Sequence, residues 1–191
     1  MEVLKIPQAE CGNVAKSHIA NAKHNIGYII IENPIAIVLG KAQVNEETCK
    51  EYGYEVYESF NNGGTILCNH GDIMFSQVAE PNNGWIFRFA EHFTKWLIAK
   101  GLDAVYDGND VLVDGYKVCG LCITRYGMVD FSSGFIGINT KLDHIKAICR
   151  KPMKKVPKGL SEYGITTEDI EQMFLDFCVS ENAEITGEVH K

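Results

Sequence analysis

No apolar run in this chain approaches the about 18 residues that a membrane-spanning helix needs. The N-terminal stretch does not pair a basic region with an apolar core, so no secretory leader is expected. Basic charge is short as well: 18 Lys and Arg face 25 Asp and Glu, a formal net charge of -7. Nonspecific nucleic-acid binding needs clustered cations to neutralise phosphates, and this balance argues against it. The glycine-rich dinucleotide and P-loop signatures are missing, as are internal repeats, linkers and low-complexity tracts. A second CxxC or a Cys/His pair at zinc-like spacing is missing too, which leaves Cys119-Gly-Leu-Cys122 without a partner motif. Residues three apart on a strand point to opposite faces, so the two thiols are poorly placed to grip one ion.

Seven cysteines are present, an odd number, and most lie inside apolar segments. That pattern fits reduced, buried thiols and a cytoplasmic location better than a disulfide framework. With 46% hydrophobic residues in 191, the chain can bury one sizeable core. The densest basic run is Arg150-Lys151-Pro152-Met153-Lys154-Lys155, with Lys158 beyond it. A solvated loop and a local anion or partner contact both fit this run.

Apolar spacing and turn residues predict the elements. Asn13 to Asn25 reads as a helix, Tyr28–Ile31 and Ile35–Leu39 as strands, Glu46–Tyr52 as a short helix and Tyr54–Tyr57 as a strand. Thr65–Asn69 and Ile73–Gln77 read as strands separated by Gly71-Asp72. Trp85–Lys100 is the clearest helix, with Ile86, Phe89, Phe93, Trp96 and Leu97 on one face and Gly101 as its stop. Val111–Val113 and Lys117–Arg125 form a hairpin around Asp114-Gly115, since both turn residues tolerate positive φ. Phe131–Asn139 follows as a strand, Leu142–Cys149 as a helix, and a last helix runs from a Thr166 or Thr167 cap to Val179. The order predicts one α+β domain over residues 1–180, a mostly antiparallel sheet flanked by helices, and a loose tail over 181–191.

Three segments carry the chemistry. They are Gly40-Lys41-Ala42-Gln43, then Asn62-Gly63-Gly64-Thr65-Ile66-Leu67 with Gly71-Asp72, then Asn109 to Gly120 around Lys117. In this order and at these separations the chain resembles the lipoate–protein ligase branch of the biotin/lipoate protein ligase superfamily. GKAQVN resembles one family segment, NGGTIL the family's glycine triplet, and NDVLVDGYKVCG the lysine motif. Gly134-Phe-Ile-Gly-Ile-Asn139 resembles a further family strand, and the likeness covers roughly residues 26 to 178.

The resemblance implies ATP-dependent activation of lipoate, or an octanoate-like acid, as an acyl-adenylate. Transfer to a lysine of an acceptor domain follows. Lys117 inherits the catalytic role: a fixed cation between the acid's carboxylate and the α-phosphate offsets their repulsion. Gly63, Gly64, Thr65, Asn109, Asp110 and Gly120 inherit contacts to the nucleotide or acyl-adenylate, with Asp110 suited to Mg²⁺. Lys41, Asn62 and His70 are candidate substrate contacts. The implied partners are a lipoyl-acceptor domain and, because the small C-terminal domain of many relatives is not expected here, a separate accessory-domain protein.

The chain also departs from the family pattern. Relatives carry arginines just before the glycine triplet, where this chain has Glu58, Ser59 and Phe60. Lys41 and Arg125, basic and near the motifs, are candidates to replace that charge. Two other readings remain open. One is a member that binds an acyl ligand or acceptor protein without activating it. The other is ATP-independent octanoyl or lipoyl transfer through a cysteine nucleophile, although Asp130 and Leu102 stand where such relatives have theirs.

Overall fold

A computed structural model describes residues 2–8, 26–39, 44–59, 65–149 and 153–188. The expected helix from Asn13 to Asn25 lies outside these residues, as do Lys41, Asn62, Gly63 and Gly64.

Eleven strands build two sheets among the described residues. They are β1 (Glu2–Lys5), β2 (Ile26–Ile30), β3 (Ile35–Leu39), β4 (Glu55–Ser59), β5 (Thr65–Cys68) and β6 (Ile73–Ala79). Then come β7 (Ala104–Asp107), β8 (Asp110–Val113), β9 (Tyr116–Tyr126), β10 (Val129–Ile136) and β11 (Glu184–Glu188). The large sheet has the order β11-β1-β2-β6-β10-β9-β8-β7, and the small one β4-β3-β5. Pairing in the large sheet is antiparallel from β2 to β7, while β1 runs parallel to both its neighbours.

The helices are α1 (Glu46–Glu51), α2 (Trp85–Ala99), α3 (Leu142–Ile148) and α4 (Thr167–Ser180). α2 and α4 cover one face of the large sheet. Their apolar stripes bring Trp85, Phe89, Phe93, Phe174 and Phe177 together with Phe75 of β6, all nearly excluded from solvent. Thr166 caps α4 and closes a capping box with Asp169. The opposite face carries Ile29, Met74 and Phe135, which pack against Ile35, Ile37, Ile66 and Cys68 of the small sheet. On the small sheet's far side, Ala36 and Leu67 meet Cys49 of α1, Tyr54 and Ile148 of α3.

Three strands were not expected. β7 is a four-residue edge strand, too short to show a period against the polar residues around it. β1 gains its place through parallel pairing with β2 and β11, partners distant in sequence. The stretch expected to be a loose tail contains β11, so the tail reading is corrected over Glu184–Glu188.

The turn from β5 to β6 is fixed from inside. Asp72 is fully buried and accepts hydrogen bonds from the backbone N–H groups of Asn69 (2.7 Å), Ile138 (2.7 Å) and Asn139 (2.8 Å). Burial pushes its carboxyl up to about 6, against the pull of those three donors. One side chain thus ties the start of β6 to the exit of β10, at the end of the sheet where β9 begins.

Candidate active site

The β8–β9 hairpin forms because Asp114 and Gly115 take φ of 51° and 80°, the left-handed turn that Asp-Gly allows at low cost. Beyond the turn the ladder is irregular. Leu112 pairs with Lys117 and Val111 with Cys119, so Val118 has no partner on β8. This bulge breaks the alternation of faces: Val118 and Cys119 are consecutive and both buried, at 2% and 1% exposure. Strict alternation would send Lys117 and Gly120 to opposite faces. Instead the Lys117 ammonium folds over Gly120, and a Cβ added there would lie 2.8 Å from Nζ and 2.9 Å from Cε. A side chain at this position would therefore have to push the end of the lysine aside.

Lys117 Nζ lies 2.6 Å from Asp110 Oδ1. A second ammonium shares the same carboxylate: Lys155 Nζ is 2.9 Å from Asp110 Oδ2 and 2.9 Å from Asp107 Oδ2. Lys155 also donates to the Asp107 backbone carbonyl at 3.2 Å. Burial is the largest influence on the Asp110 carboxyl and raises it. The hydrogen bonds from Lys117 and Lys155 together outweigh burial and hold it below the usual carboxylate range. The Asp107 carboxylate, and then Asp110, raise the Lys155 ammonium above its ordinary value despite some desolvation.

Lys155 was not among the expected site residues. In sequence it sits in a basic run 38 positions from Lys117, with nothing to say which face of which loop it would join. The structure joins the run to β9 through the backbone. Lys117 N–H donates to Val156 O at 2.9 Å, and Lys158 N–H donates to Lys117 O at 3.0 Å. Pro157 thereby bridges to Lys117, and Lys158 lies over the rings of Tyr116 and Tyr163.

Of the expected residues, the structure brings together Lys117, Asp110 and Gly120. Asn109 is close in the chain; its carbonyl accepts from Leu121 N–H at 2.7 Å, which anchors the β7–β8 turn on β9. Thr65 opens β5 opposite Val38 and belongs to the small sheet. His70 is turned to the β2–β3 connection: Nδ1 lies 3.0 Å from the Glu32 carbonyl, and its own carbonyl accepts from Asn139 Nδ2 at 2.7 Å. Arg125 lies at the far end of β9, eight residues from Lys117, roughly 26 Å at the usual rise. There it is bound to Asp130 through two hydrogen bonds of 2.7 and 2.9 Å. Asp130, aligned with one branch's nucleophile, is thus an ion-pair partner.

Cross-strand pairing extends the site sideways. Asp110 pairs with Gly120, Gly120 with Phe135, Phe135 with Met74 and Met74 with Ile29, one row across five strands. Directly opposed residues share a face, so this row lies on the side covered by the small sheet. It is charged at one end and apolar at the other.

The family model described as the lipoyl protein ligase A/B catalytic domain matches residues 13–179. The chain belongs to that family. It is similar to lipoate–protein ligase 1 of Staphylococcus aureus (strain Mu50), 24% identical over 173 residues, which cover 85% of this chain and 52% of that protein. The chain therefore spans about half the length of that relative. Among solved structures, the fold matches a bipartite lipoate protein ligase described with its E2 lipoyl domain from Thermoplasma acidophilum. That match has TM-score 0.79 and 14% identity, and covers 100% of this chain and 87% of that one. It also matches a lipoate–protein ligase A bound with ATP, with TM-score 0.79, 14% identity, and coverage of 100% and 89%. These two likenesses show that the chain shares the α+β fold of those structures. Among the described residues, no helix is long and apolar enough to cross a membrane, and no group of three or more metal-ligating side chains gathers.

Proposed function

We propose that this chain activates lipoate, or an octanoate-like acid, with ATP and passes the acyl group to a lysine of an acceptor domain. The observation that carries the reading is the row from Asp110 to Ile29. The ammonium of Lys117 lies at its charged end, and Phe135, Met74 and Ile29 form its apolar end. An acid with an apolar tail and one carboxylate matches that polarity, tail along the row and carboxylate at Lys117.

In the first step a carboxylate oxygen attacks the α-phosphate and pyrophosphate leaves with the electron pair of the broken P–O bond. Lys117 offsets the repulsion between the two anions and the charge that grows during attack. Its hairpin holds it before substrate arrives, so little reorganisation is needed. In the second step the acceptor amine attacks the acyl carbonyl, AMP leaves, and the amine gives up its proton. Magnesium enters on the triphosphate as part of the substrate and offsets phosphate charge. Asp110 is the carboxylate assigned to it, since such ions take one or two protein carboxylates beside the phosphates. The ligase name of the Staphylococcus relative, the ATP-bound neighbour and the neighbour described with a lipoyl domain support this reading.

The test is pyrophosphate release from MgATP with lipoate, octanoate and biotin supplied separately, comparing the wild type with Lys117→Ala. A lipoate-dependent signal that disappears in the variant supports the reading. No release with any acid, from protein shown to be folded, would favour acyl binding without activation.

A further inference from the structure

The second lysine has no role in the chemistry above. Its surroundings argue against a purely structural salt bridge. Lys154 points to solvent, whereas Lys155 turns inward and is only 28% exposed. It has Asp107 as one partner, but it also turns toward Asp110, which already holds another ammonium, and two like charges brought onto one acceptor repel each other. Nor is it needed to fasten its loop. The backbone bonds between Lys117, Val156 and Lys158 do that, whatever side chain stands at 155. What results is two cations whose ammonium groups face the two oxygens of one carboxylate, at 2.6 and 2.9 Å. The non-bridging oxygens of a phosphate ask for the same arrangement.

We propose that Lys155 is a second phosphate-binding cation of this site, which Asp107 and Asp110 hold beside Lys117 until the nucleotide arrives. The inference rests on the adenylating reading above and deepens it by naming the group that holds the triphosphate. Lys117 acts where the acyl carboxylate meets the phosphate. Lys155, reached from the other side of Asp110, secures the nucleotide. It thereby supplies positive charge that Glu58, Ser59 and Phe60 do not offer before the glycine turn.

The experiment measures MgATP binding by calorimetry, and KM for ATP and kcat from pyrophosphate release, in the wild type, Lys155→Met, Lys155→Arg and Lys154→Met. Thermal melting confirms that each variant folds. Expected for Lys155→Met is at least a tenfold rise in both Kd and KM for ATP, with kcat changed less than threefold and KM for lipoate unchanged. Lys155→Arg keeps the charge and restores ATP affinity to within threefold, and Lys154→Met matches the wild type. A wild type that forms adenylate beside a Lys155→Met variant with unchanged Kd overturns the inference and leaves the adenylating reading standing. Equal weakening by Lys154→Met would also overturn it, because general surface charge would then explain the effect. A wild type that neither binds ATP nor releases pyrophosphate removes the adenylating reading, and this inference with it.

Discussion

The ammonium of Lys117 lies 2.8 Å from the point where a Cβ on Gly120 would stand. The two residues cannot both carry side chains in the present arrangement. Gly120→Ala therefore leaves the hairpin paired but displaces Lys117 from Asp110. Displacement of a catalytic group by about 1 Å costs on the order of a hundredfold in rate. Pyrophosphate release should fall by about that factor while the melting temperature stays near the wild type's. An unchanged rate would mean that Lys117 acts from another position.

Asp110 makes a prediction about pH. Its folded carboxyl is held below the usual carboxylate range once the two lysines outweigh burial. A lowered folded value means the contribution to stability is present above the unfolded value and is lost as pH falls through the folded one. Asp110→Asn should thus cost about 1 kcal/mol at pH 7, discounted for the partial exposure of both lysines. The gap between wild type and variant should narrow below about pH 4. Urea unfolding of both proteins at pH 7 and pH 3 measures this. A gap that widens on acidification would reverse the sign.

Asp72 gives a stability test away from the chemistry. Three backbone N–H groups point at its carboxylate, and Asn in its place would turn an amide N–H₂ toward at least one of them. Near pH 4, before the raised Asp72 carboxyl ionises, Asp72→Asn should destabilise by about 2 kcal/mol, the typical cost of an unsatisfied buried donor. The gap should narrow by pH 7, where the wild type carries a buried charge that the amide lacks, and urea denaturation at both pH values measures it. Equal stability would show that the turn is held by Thr167, which donates to the Gly71 carbonyl at 2.9 Å, and by Asn139 instead.

Cys119 sits inside the lysine motif yet faces the helical core at 1% exposure, and burial pushes its thiol up. A buried thiol with a raised pKa is a poor nucleophile. Incubation with octanoyl-carrier protein should give no acyl adduct by intact mass, on Cys119 or on the half-buried Cys122. An adduct on either would favour transfer without ATP.

Much of the fold could be read along the chain because its signals are local. The apolar stripe of Trp85–Ala99, the Asp114-Gly115 turn and the Thr166 cap each depend on residues within a few positions of one another. The choice of Lys117 followed from the order of motifs and the resemblance they carry, and its ammonium lies against Asp110 and Gly120. What depends on distant partners was not legible. β1 and β11 are short strands that pair with each other across the length of the chain, and β7 is an edge strand paired with β8.

The amino-acid sequence by itself determined which local elements form, the hairpin that carries Lys117 among them, because turn chemistry and apolar periodicity act over a few residues. Tertiary structure alone decided which charges meet there. The bulge at Val118 turns Lys117 over Gly120, and backbone bonds from the loop at 156–158 carry Lys155 to Asp110. Composition assigns the same positive charge to every lysine of the basic run. Only the path of the backbone determines which of them shares a carboxylate with Lys117 and which faces water.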